Sequence, residues 1–249
     1  MITNKEIADF IESNVSIFHK ARLEKLKTIK IKDLLKKKNP YLFKSKNINI
    51  ADELIKSMLD PFLSSSEETI FGDFLEKLAI FINNKVYGGE KSSAKGIDLE
   101  FDKDNIKYLI SIKSSFNWGN SSQIEKLEKD FNTAKKILRT SGNKIENIVA
   151  INGCCYGTEY KDNGSYLKIC GQKFWSFISG DDDLYIKIIE PLGYKAKEKN
   201  EKFNKEYAKI RNILMKDFII EFCDKDGAID WKKIVKFNSQ IINKKENQK

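Results

Sequence analysis

Histidine is almost absent from this chain, since His19 is the single histidine among 249 residues. This argues against Ser–His or Cys–His hydrolase chemistry and against a metal site built from imidazoles. The four cysteines form no Cys-x-x-Cys motif, which argues against a zinc site and predicts free, mostly buried thiols. No apolar run approaches the length of about 18 residues that a membrane helix requires. The N-terminus carries acidic residues and no apolar signal segment, so we expect a cytoplasmic protein without a membrane partner.

Positive charge, in contrast, is plentiful. Lys and Arg number 45 against 36 Asp and Glu, for a net charge of +9. A basic balance of this size favours a polyanionic partner, for which nucleic acid is the first candidate. The Lys-rich composition of an AT-rich genome would produce the same excess, so charge alone does not decide between the two explanations.

The segment Gly96–Gln123 contains the pattern that is most informative about chemistry. Apolar and polar residues alternate over 97–102, and Tyr108, Ile110 and Ile112 alternate with Leu109, Ser111 and Lys113, which predicts two half-buried β-strands. The turn predicted at 103–105 lacks the usual Gly. If these strands pair as a hairpin, Asp98, Ser111 and Lys113 project from one edge of a sheet.

An Asp beside a Lys has two interpretations. Most such residues on strands are solvated, and an isolated pair contributes little to stability. The functional interpretation is a site that cuts a phosphodiester with a divalent metal. Asp98 would then hold Mg²⁺, which prefers oxygen ligands. Lys113 would orient or help to deprotonate the attacking water and would offset charge on the phosphate.

The same segment resembles the active-site signature of the PD-(D/E)xK nuclease superfamily, in which an acid on one strand precedes an acid-x-Lys on the next. Here the elements are Asp98 and Ser111-Ile112-Lys113. More closely, residues 39–238 are similar to the PmeII-type group of type II restriction endonucleases. The stretches that carry this similarity are KNPYLFKSKN, SSSEETIFGDFLEKLAIF, GIDLEF through NWGNSSQ, CCYG and GQKFWSFISG.

The resemblance implies a Mg²⁺-dependent enzyme of a restriction-modification system that cleaves double-stranded DNA at a short palindrome. A palindrome read by one kind of chain implies a two-fold homodimer, and self-protection implies a companion DNA methyltransferase for the same site. The alternatives are a structure-selective or repair nuclease with the same chemistry, and a non-catalytic DNA-binding module in which Ser111 marks a decayed site.

Ser111 departs from the family pattern, because a hydroxyl is a poorer Mg²⁺ ligand than a carboxylate. In related nucleases an acid on the helix before the first strand reaches the metal, and Glu76 lies on the matching helix. Glu76 is therefore our first candidate for the second acid, although helical spacing by itself would make it a solvated residue. The carbonyl of Ile112 is a further possible ligand. The other candidate acids are Glu68, Glu100, Glu125 and Glu128.

A polar stretch rich in Asn, Ser and Gly follows Lys113 and leads into a helix that we expect to run to about Thr140. Ordinary loop chemistry explains such a stretch. The functional interpretation is DNA contact, because Asn and Gln pair with adenine edges and the N–H groups at a helix start attract phosphate. Asn120, Ser121 and Gln123 are the predicted contacts.

The predicted fold is α/β, with a restriction-endonuclease-like core in which helices flank a mixed central sheet. An N-terminal helical arm (1–38) would join a catalytic domain (39–249) as one structural unit, and helices would end the chain. We expect one helix over 4–36, another over 51–59 that Pro61 interrupts, and a new helix that Ser66 caps. A central strand is predicted over 145–155 and a shorter strand around Lys168.

Overall fold

The computed structural model describes residues 2–140 and 147–240 of the chain. The chain divides into two compact units. Unit 1 comprises Met1–Phe18 and Glu68–Ala196, and unit 2 comprises His19–Glu67 and Lys197–Lys249. The boundary predicted between residues 38 and 39 falls inside unit 2, and the N-terminal arm that joins a catalytic domain as one structural unit stays a prediction.

Within the described ranges helices predominate, and five strands form one sheet. The helices are α1 (Asn4–Lys27), α2 (Ile31–Lys36), α3 (Pro40–Ser45), α4 (Ala51–Tyr87), α5 (Ser121–Thr140), α6 (Gln172–Ser179), α7 (Leu184–Lys187), α8 (Ile189–Leu192), α9 (Ala196–Phe222) and α10 (Trp231–Ser239). The strands are β1 (Leu99–Lys103), β2 (Ile106–Lys113), β3 (Ile148–Cys154), β4 (Tyr160–Asp162) and β5 (Leu167–Cys170). No helix among the described residues is long and apolar enough to cross a membrane.

The sheet of unit 1 is mixed, with strand order β1-β2-β3-β5-β4. The central pairs β2–β3 and β3–β5 are parallel, whereas β1–β2 and β4–β5 are antiparallel. The predicted hairpin is confirmed: Lys103 pairs with Ile106, and the turn residues Asp104 and Asn105 have φ of 53° and 60°. Asp and Asn tolerate this left-handed conformation, so the turn forms without Gly.

Helices cover both faces of the sheet. Leu109 on β2 packs with Leu127 and Phe131 of α5, whereas its neighbour Ile110 packs with Leu78 of α4. Because successive strand residues point to opposite faces, β2 is buried on both sides, and the unit has helix, sheet and helix layers. The predicted α/β class with a mixed sheet flanked by helices is confirmed.

Two expectations about local structure were incomplete. Residues 145 and 146 of the predicted central strand lie outside the described residues, and the strand itself is confirmed as β3. The strand β4 was not predicted, because all three of its residues are exposed and it lacks an alternating apolar pattern. It is held by antiparallel pairing with β5.

The prediction that Pro61 ends a helix is wrong. Helix α4 is 37 residues long and continues through Pro61, so Ser66 lies inside the helix and does not cap its start. Proline removes one backbone hydrogen bond and crowds the preceding turn. The apolar residues on either side of it, Leu59 and Leu63, are nevertheless buried in one cluster, and this packing outweighs the local penalty.

The single helix expected over 4–36 is also divided, since α1 ends at Lys27 and α2 begins at Ile31. The Thr28 hydroxyl donates to the carbonyl of Lys25 at 2.9 Å, and Lys30 adopts an extended conformation. Side-chain bonds of this kind compete with helix continuation. Unit 2 has its own apolar core, which includes Leu34, Leu54 and Phe218.

Candidate active site

The structure brings Asp98 and Lys113 together, as the hairpin predicts. Asp98 immediately precedes β1, and its N–H donates to the Ile110 carbonyl at 2.8 Å. Its Oδ2 accepts hydrogen bonds from the Ile112 N–H at 2.6 Å and the Ser111 hydroxyl at 3.3 Å. The same oxygen lies 3.9 Å from Lys113 Nζ. One carboxylate oxygen therefore gathers a backbone N–H, a hydroxyl and an ammonium group.

Gly96 explains how the chain enters this site. Its φ of +79° lies in the left-handed region, where residues with a side chain are disfavoured. A Cβ at this position would also overlap the carboxylate of Asp130 on α5. Gly at position 96 therefore permits the close approach of α5 to the start of β1, two residues before Asp98.

Ser111, which stands where the family pattern has an acid, is completely buried. It lies opposite Asn152 in the parallel pairing of β2 with β3. A carboxylate in this buried position would lose its hydration, which costs several kcal/mol unless a partner compensates. The serine hydroxyl instead donates to Asp98, so it supports the acid that precedes β1.

Asn152 and Trp118 are site residues that the sequence analysis missed. Asn152 is 1% exposed; its Nδ2 donates to the Ser111 carbonyl at 3.2 Å, and its Oδ1 accepts from Trp118 Nε1 at 2.9 Å. The Trp118 ring centroid lies 5.2 Å from Lys113 Nζ, within cation–π range. The available signal was an amide inside the apolar run of β3, since buried polar residues require partners.

Glu76 lies on α4, and in the part of the chain that the structure describes no hydrogen bond or ion pair joins it to Asp98. Its Oε1 accepts from Lys91 Nζ at 3.2 Å, and its side chain is 25% exposed. Burial, together with the negative charge of Glu76, raises the pKa of Cys155 to about 12. The N–H of Cys155 in turn donates to the Lys113 carbonyl at 2.9 Å. Glu76 is thus close to the residue that follows β3, beside the end of β2.

The other candidate acids have separate surroundings. The Oε2 of Glu100 accepts from the Ser92 hydroxyl at 2.9 Å, Glu68 and Glu125 are exposed, and Glu128 is half-buried on α5. Among residues 2–140 and 147–240, no group of three or more His, Cys, Asp or Glu side chains could hold a metal ion.

The oxygen atoms near Lys113 are nevertheless of the kind that bind a hard cation. The Ile112 N–H points to Asp98, and the N–H and carbonyl of a strand residue project to the same side. The Ile112 carbonyl therefore lies on the Asp98 side of β2. Carboxylate and carbonyl oxygens are the ligands that Mg²⁺ prefers, and Mg²⁺ completes its shell with water. Asp98 and Ile112 offer oxygens of this kind, whereas Glu76 on α4 is paired with Lys91.

The predicted DNA contacts form the N-terminal cap of α5. The Asn120 N–H donates to Gln123 Oε1 at 2.9 Å, and the Gln123 N–H donates to Asn120 Oδ1 at 3.1 Å. This reciprocal pair is a capping box in which Asn and Gln take the usual roles of Ser and Glu. Both residues and Ser121 are exposed. Helix capping thus accounts for the residue types, and DNA contact stays a prediction.

A cleft of about 680 Å³ opens where β3 and β5 end. Tyr156, Thr158, Gln172 and Lys173 contribute polar groups to its lining. The Tyr156 hydroxyl bonds to Ser115 Oγ at 2.9 Å, which ties the cleft to the loop after Lys113. Ligands of open α/β sheets bind outside the carboxyl ends of their strands, and Lys113 lies at this end.

A mixed, helix-covered sheet that presents an acid and a lysine from one hairpin is typical of nucleases with a restriction-endonuclease-like fold. The family model described as type II restriction endonuclease EcoO109I matches residues 5–200, which is more than half of the chain. The chain therefore belongs to this family of type II restriction endonucleases, whose members are DNA hydrolases. A comparison with proteins of curated function finds no match.

Proposed function

We propose that this chain is a Mg²⁺-dependent type II restriction endonuclease of the PD-(D/E)xK superfamily, similar to the PmeII-type group, that cuts duplex DNA at a short palindrome. The observation that carries the proposal is the approach of Asp98 Oδ2 to Lys113 Nζ, at 3.9 Å, at one end of a β-hairpin. Membership of the restriction-endonuclease family supports a role for this Asp–Lys pair in DNA cleavage.

In the proposed site, the carboxylates of Asp98 and Glu76 and the carbonyl of Ile112 would hold Mg²⁺. The ion supplies charge stabilisation at the phosphoryl group and acidifies bound water. Ser111 takes no place among the ligands, and its hydroxyl keeps Oδ2 of Asp98 in position. If Ser111 positions Asp98 while other residues bind the metal, a serine can occupy the family's acidic position in an active enzyme.

Lys113 would orient the attacking water and offset the charge that develops on the phosphate. The Asp98 carboxylate and the Trp118 ring both lie close to its ammonium group and limit where it can lie. Such preorganised charge is effective because it does not have to reorganise when the phosphate reacts.

The proposed DNA contacts are Asn120, Ser121 and Gln123, which lie at the start of α5 after the loop that follows Lys113. Exposed backbone N–H groups at a helix start attract phosphate. Because the target is a palindrome, the active species would be a two-fold homodimer. A companion methyltransferase of the restriction-modification system would modify the same site.

Digestion of plasmid DNA with purified protein and Mg²⁺ tests this function. We expect discrete fragments whose mapped termini share one short palindromic sequence. Cuts confined to branched or damaged DNA would support a repair nuclease instead. A gel shift without any cleavage would support a DNA-binding module.

Substituting Lys113→Ala should lower the cleavage rate by about 10²- to 10⁴-fold, because charge stabilisation and water activation are lost together. DNA binding, measured in parallel by gel shift in Ca²⁺, should change little. Lys126→Ala is the matched control, since it removes an exposed lysine from α5 outside the proposed site. Undiminished cleavage by Lys113→Ala would remove Lys113 from the mechanism.

A further inference from the structure

The net positive charge of the chain lies in one of its two units. Unit 2 contains 26 Lys and Arg against 15 Asp and Glu, a net charge of +11. Unit 1, which contains Asp98 and Lys113, has 19 basic against 21 acidic residues, a net charge of −2. The attraction for polyanions therefore resides in the unit that lacks the proposed active site.

Lysines in unit 2 lie repeatedly over aromatic rings. Such ammonium–ring pairs are Lys25 and Lys37 over Phe62, each at 5.5 Å, Lys36 over Phe237 at 5.6 Å and Lys44 over Trp231 at 5.8 Å. Interleaved basic and aromatic side chains are the composition of surfaces that bind single-stranded nucleic acid. All three rings border the apolar core of unit 2, so the pairs by themselves identify no site.

One groove of about 430 Å³ between α3 and α10 combines both features at the surface. Its lining consists of Pro40, Tyr41, Lys44, Trp231, Lys232, Val235 and Lys236. Tyr41 is 63% exposed, whereas Trp231 packs partly against the core of unit 2. The groove thus offers one fixed aromatic side chain and one that is free to adjust.

The three groove lysines have no acidic partner among the described residues, although Lys44 also lies over the Trp231 ring. Within the described residues, none of Lys44, Lys232 and Lys236 takes part in an ion pair, whereas Lys32, Lys209 and Arg211 of the same unit all do. The nearest acid in sequence is Asp230, which caps α10 by accepting from the Lys233 N–H and is in no ion pair with the groove lysines. The groove is therefore apolar at its base and uncompensated in charge at its edge.

We propose that this groove binds an unpaired nucleotide of single-stranded nucleic acid. A base would stack against Trp231 and Tyr41, and the flanking phosphates would lie near Lys44 and Lys232. The ligand must present a flat apolar face beside negative charge, and an unpaired nucleotide does so. In duplex DNA the base faces are stacked on one another, so the groove would prefer single strands. This ligand is distinct from the duplex that unit 1 would cleave.

Fluorescence anisotropy with a labelled single-stranded oligonucleotide and its duplex, in EDTA to prevent cleavage, tests the proposal. Tyr41→Ala should weaken single-strand binding by about 5- to 100-fold, the usual cost of a lost stacking partner. Lys232→Ala should reduce the slope of log affinity against log salt by about 0.7. Duplex binding should change little in either variant.

Matched controls separate the groove from the general charge of unit 2. Tyr160→Ala removes an aromatic ring that is 55% exposed in unit 1, and Lys56→Ala removes an exposed lysine on α4 in unit 2. Both should bind the single strand as the unchanged protein does. Equal losses in the controls, preferential binding of duplex, or concentration-dependent self-association that Tyr41→Ala abolishes without any oligonucleotide binding would each overturn the proposal. Because the assay requires no Mg²⁺, these outcomes do not bear on the proposed nuclease function.

Discussion

At Asp98 three neighbouring groups converge on a single oxygen, Oδ2. The Ile112 N–H and the Ser111 hydroxyl hold the carboxylate in one orientation before any ligand arrives. The other oxygen, Oδ1, takes part in none of these contacts. A preorganised acid of this kind is what a metal site needs, because loose ligands weaken both affinity and geometry.

The Trp118 ring is the neighbour of Lys113 that can be tested most cleanly. Trp118→Phe keeps a ring beside the ammonium group and loses only the N–H that bonds to Asn152. Trp118→Ala loses both. We expect the Ala variant to cleave DNA about 2- to 30-fold more slowly than the Phe variant, as an interaction of cation–π size implies.

Single-turnover cleavage in Mg²⁺ measures this difference, and urea unfolding supplies the control. Both variants should lose about 1 kcal/mol of stability from the missing hydrogen bond to Asn152, and the Ala variant should lose more because the ring also packs against Leu127 and its neighbours. Equal cleavage rates for the two variants would show that the ring does not act on Lys113.

Among the elements, the hairpin β1–β2 and the long helix α4 show two different relations between local sequence and structure. The hairpin agrees with its own sequence pattern, and its Asp-Asn turn adopts the left-handed conformation that a tight connection requires. Helix α4 contradicts its local signal at Pro61, because the apolar residues before and after the proline are buried in the same cluster.

Pro61→Ala should therefore stabilise the protein. Pro61 is exposed, and alanine would restore an N–H that can bond to the carbonyl of Ser57 in the preceding turn. We expect a gain of about 2 kcal/mol, the helix penalty of proline less the entropy that alanine returns to the unfolded chain. Thermal and urea unfolding measure it.

Ser64→Ala is the control, since it changes an exposed residue of the same helix that already has its N–H. It should alter stability by no more than about 0.5 kcal/mol. A loss of stability in Pro61→Ala would mean that the proline fits a bend which the helix needs.

The capping box of α5 shows how one pair of residues can satisfy two interpretations. Asn120 and Gln123 were predicted as DNA contacts, and in the structure each accepts a hydrogen bond from the other's backbone. A base contact by either amide would have to use its remaining donors or replace a cap bond. The exposed Ser121 carries no such constraint.

For the whole molecule, stability at alkaline pH is set by groups that titrate differently after folding. Burial, with the charge of Glu76, raises the pKa of Cys155 from 9.0 to about 12. Burial, with a hydrogen bond to Asp60, raises the pKa of Tyr207 from 10.0 to about 12. Burial raises the pKa of Cys154 as well. The first group belongs to unit 1 and the second to unit 2.

The free energy of unfolding should therefore fall as pH rises from about 9 towards 12. In this range the unfolded chain releases the Cys155 proton while the folded chain retains it, so alkali favours unfolding. The expected slope for such a thiol is about 1.4 kcal/mol per pH unit. Tyr207 adds its contribution only above pH 10.

Urea unfolding between pH 8 and pH 10.5 checks this expectation. Cys155→Ala should flatten the curve by one proton above pH 9, and Tyr207→Phe should flatten it only above pH 10. Parallel curves for Cys155→Ala and the unchanged protein would show that this thiol titrates alike in both states.

Local sequence determined strands β1, β2, β3 and β5, the hairpin, and the meeting of Asp98 with Lys113. Alternating apolar residues specify which face of a strand is buried, and two strands joined by a short turn leave few possible registers. The capping box of α5 also forms between residues close in sequence, although a box with Asn and Gln in place of Ser and Glu was not predicted.

Only the tertiary structure decided the rest. Helix α4 continues through Pro61 because distant residues bury it, and Glu76 comes near Cys155 because α4 packs on the sheet. Trp118 bonds to Asn152, which is 34 positions away in sequence. The groove of unit 2 forms between α3 and α10, which are also far apart in the chain. These arrangements depend on contacts between segments far apart in the chain, which no local periodicity encodes.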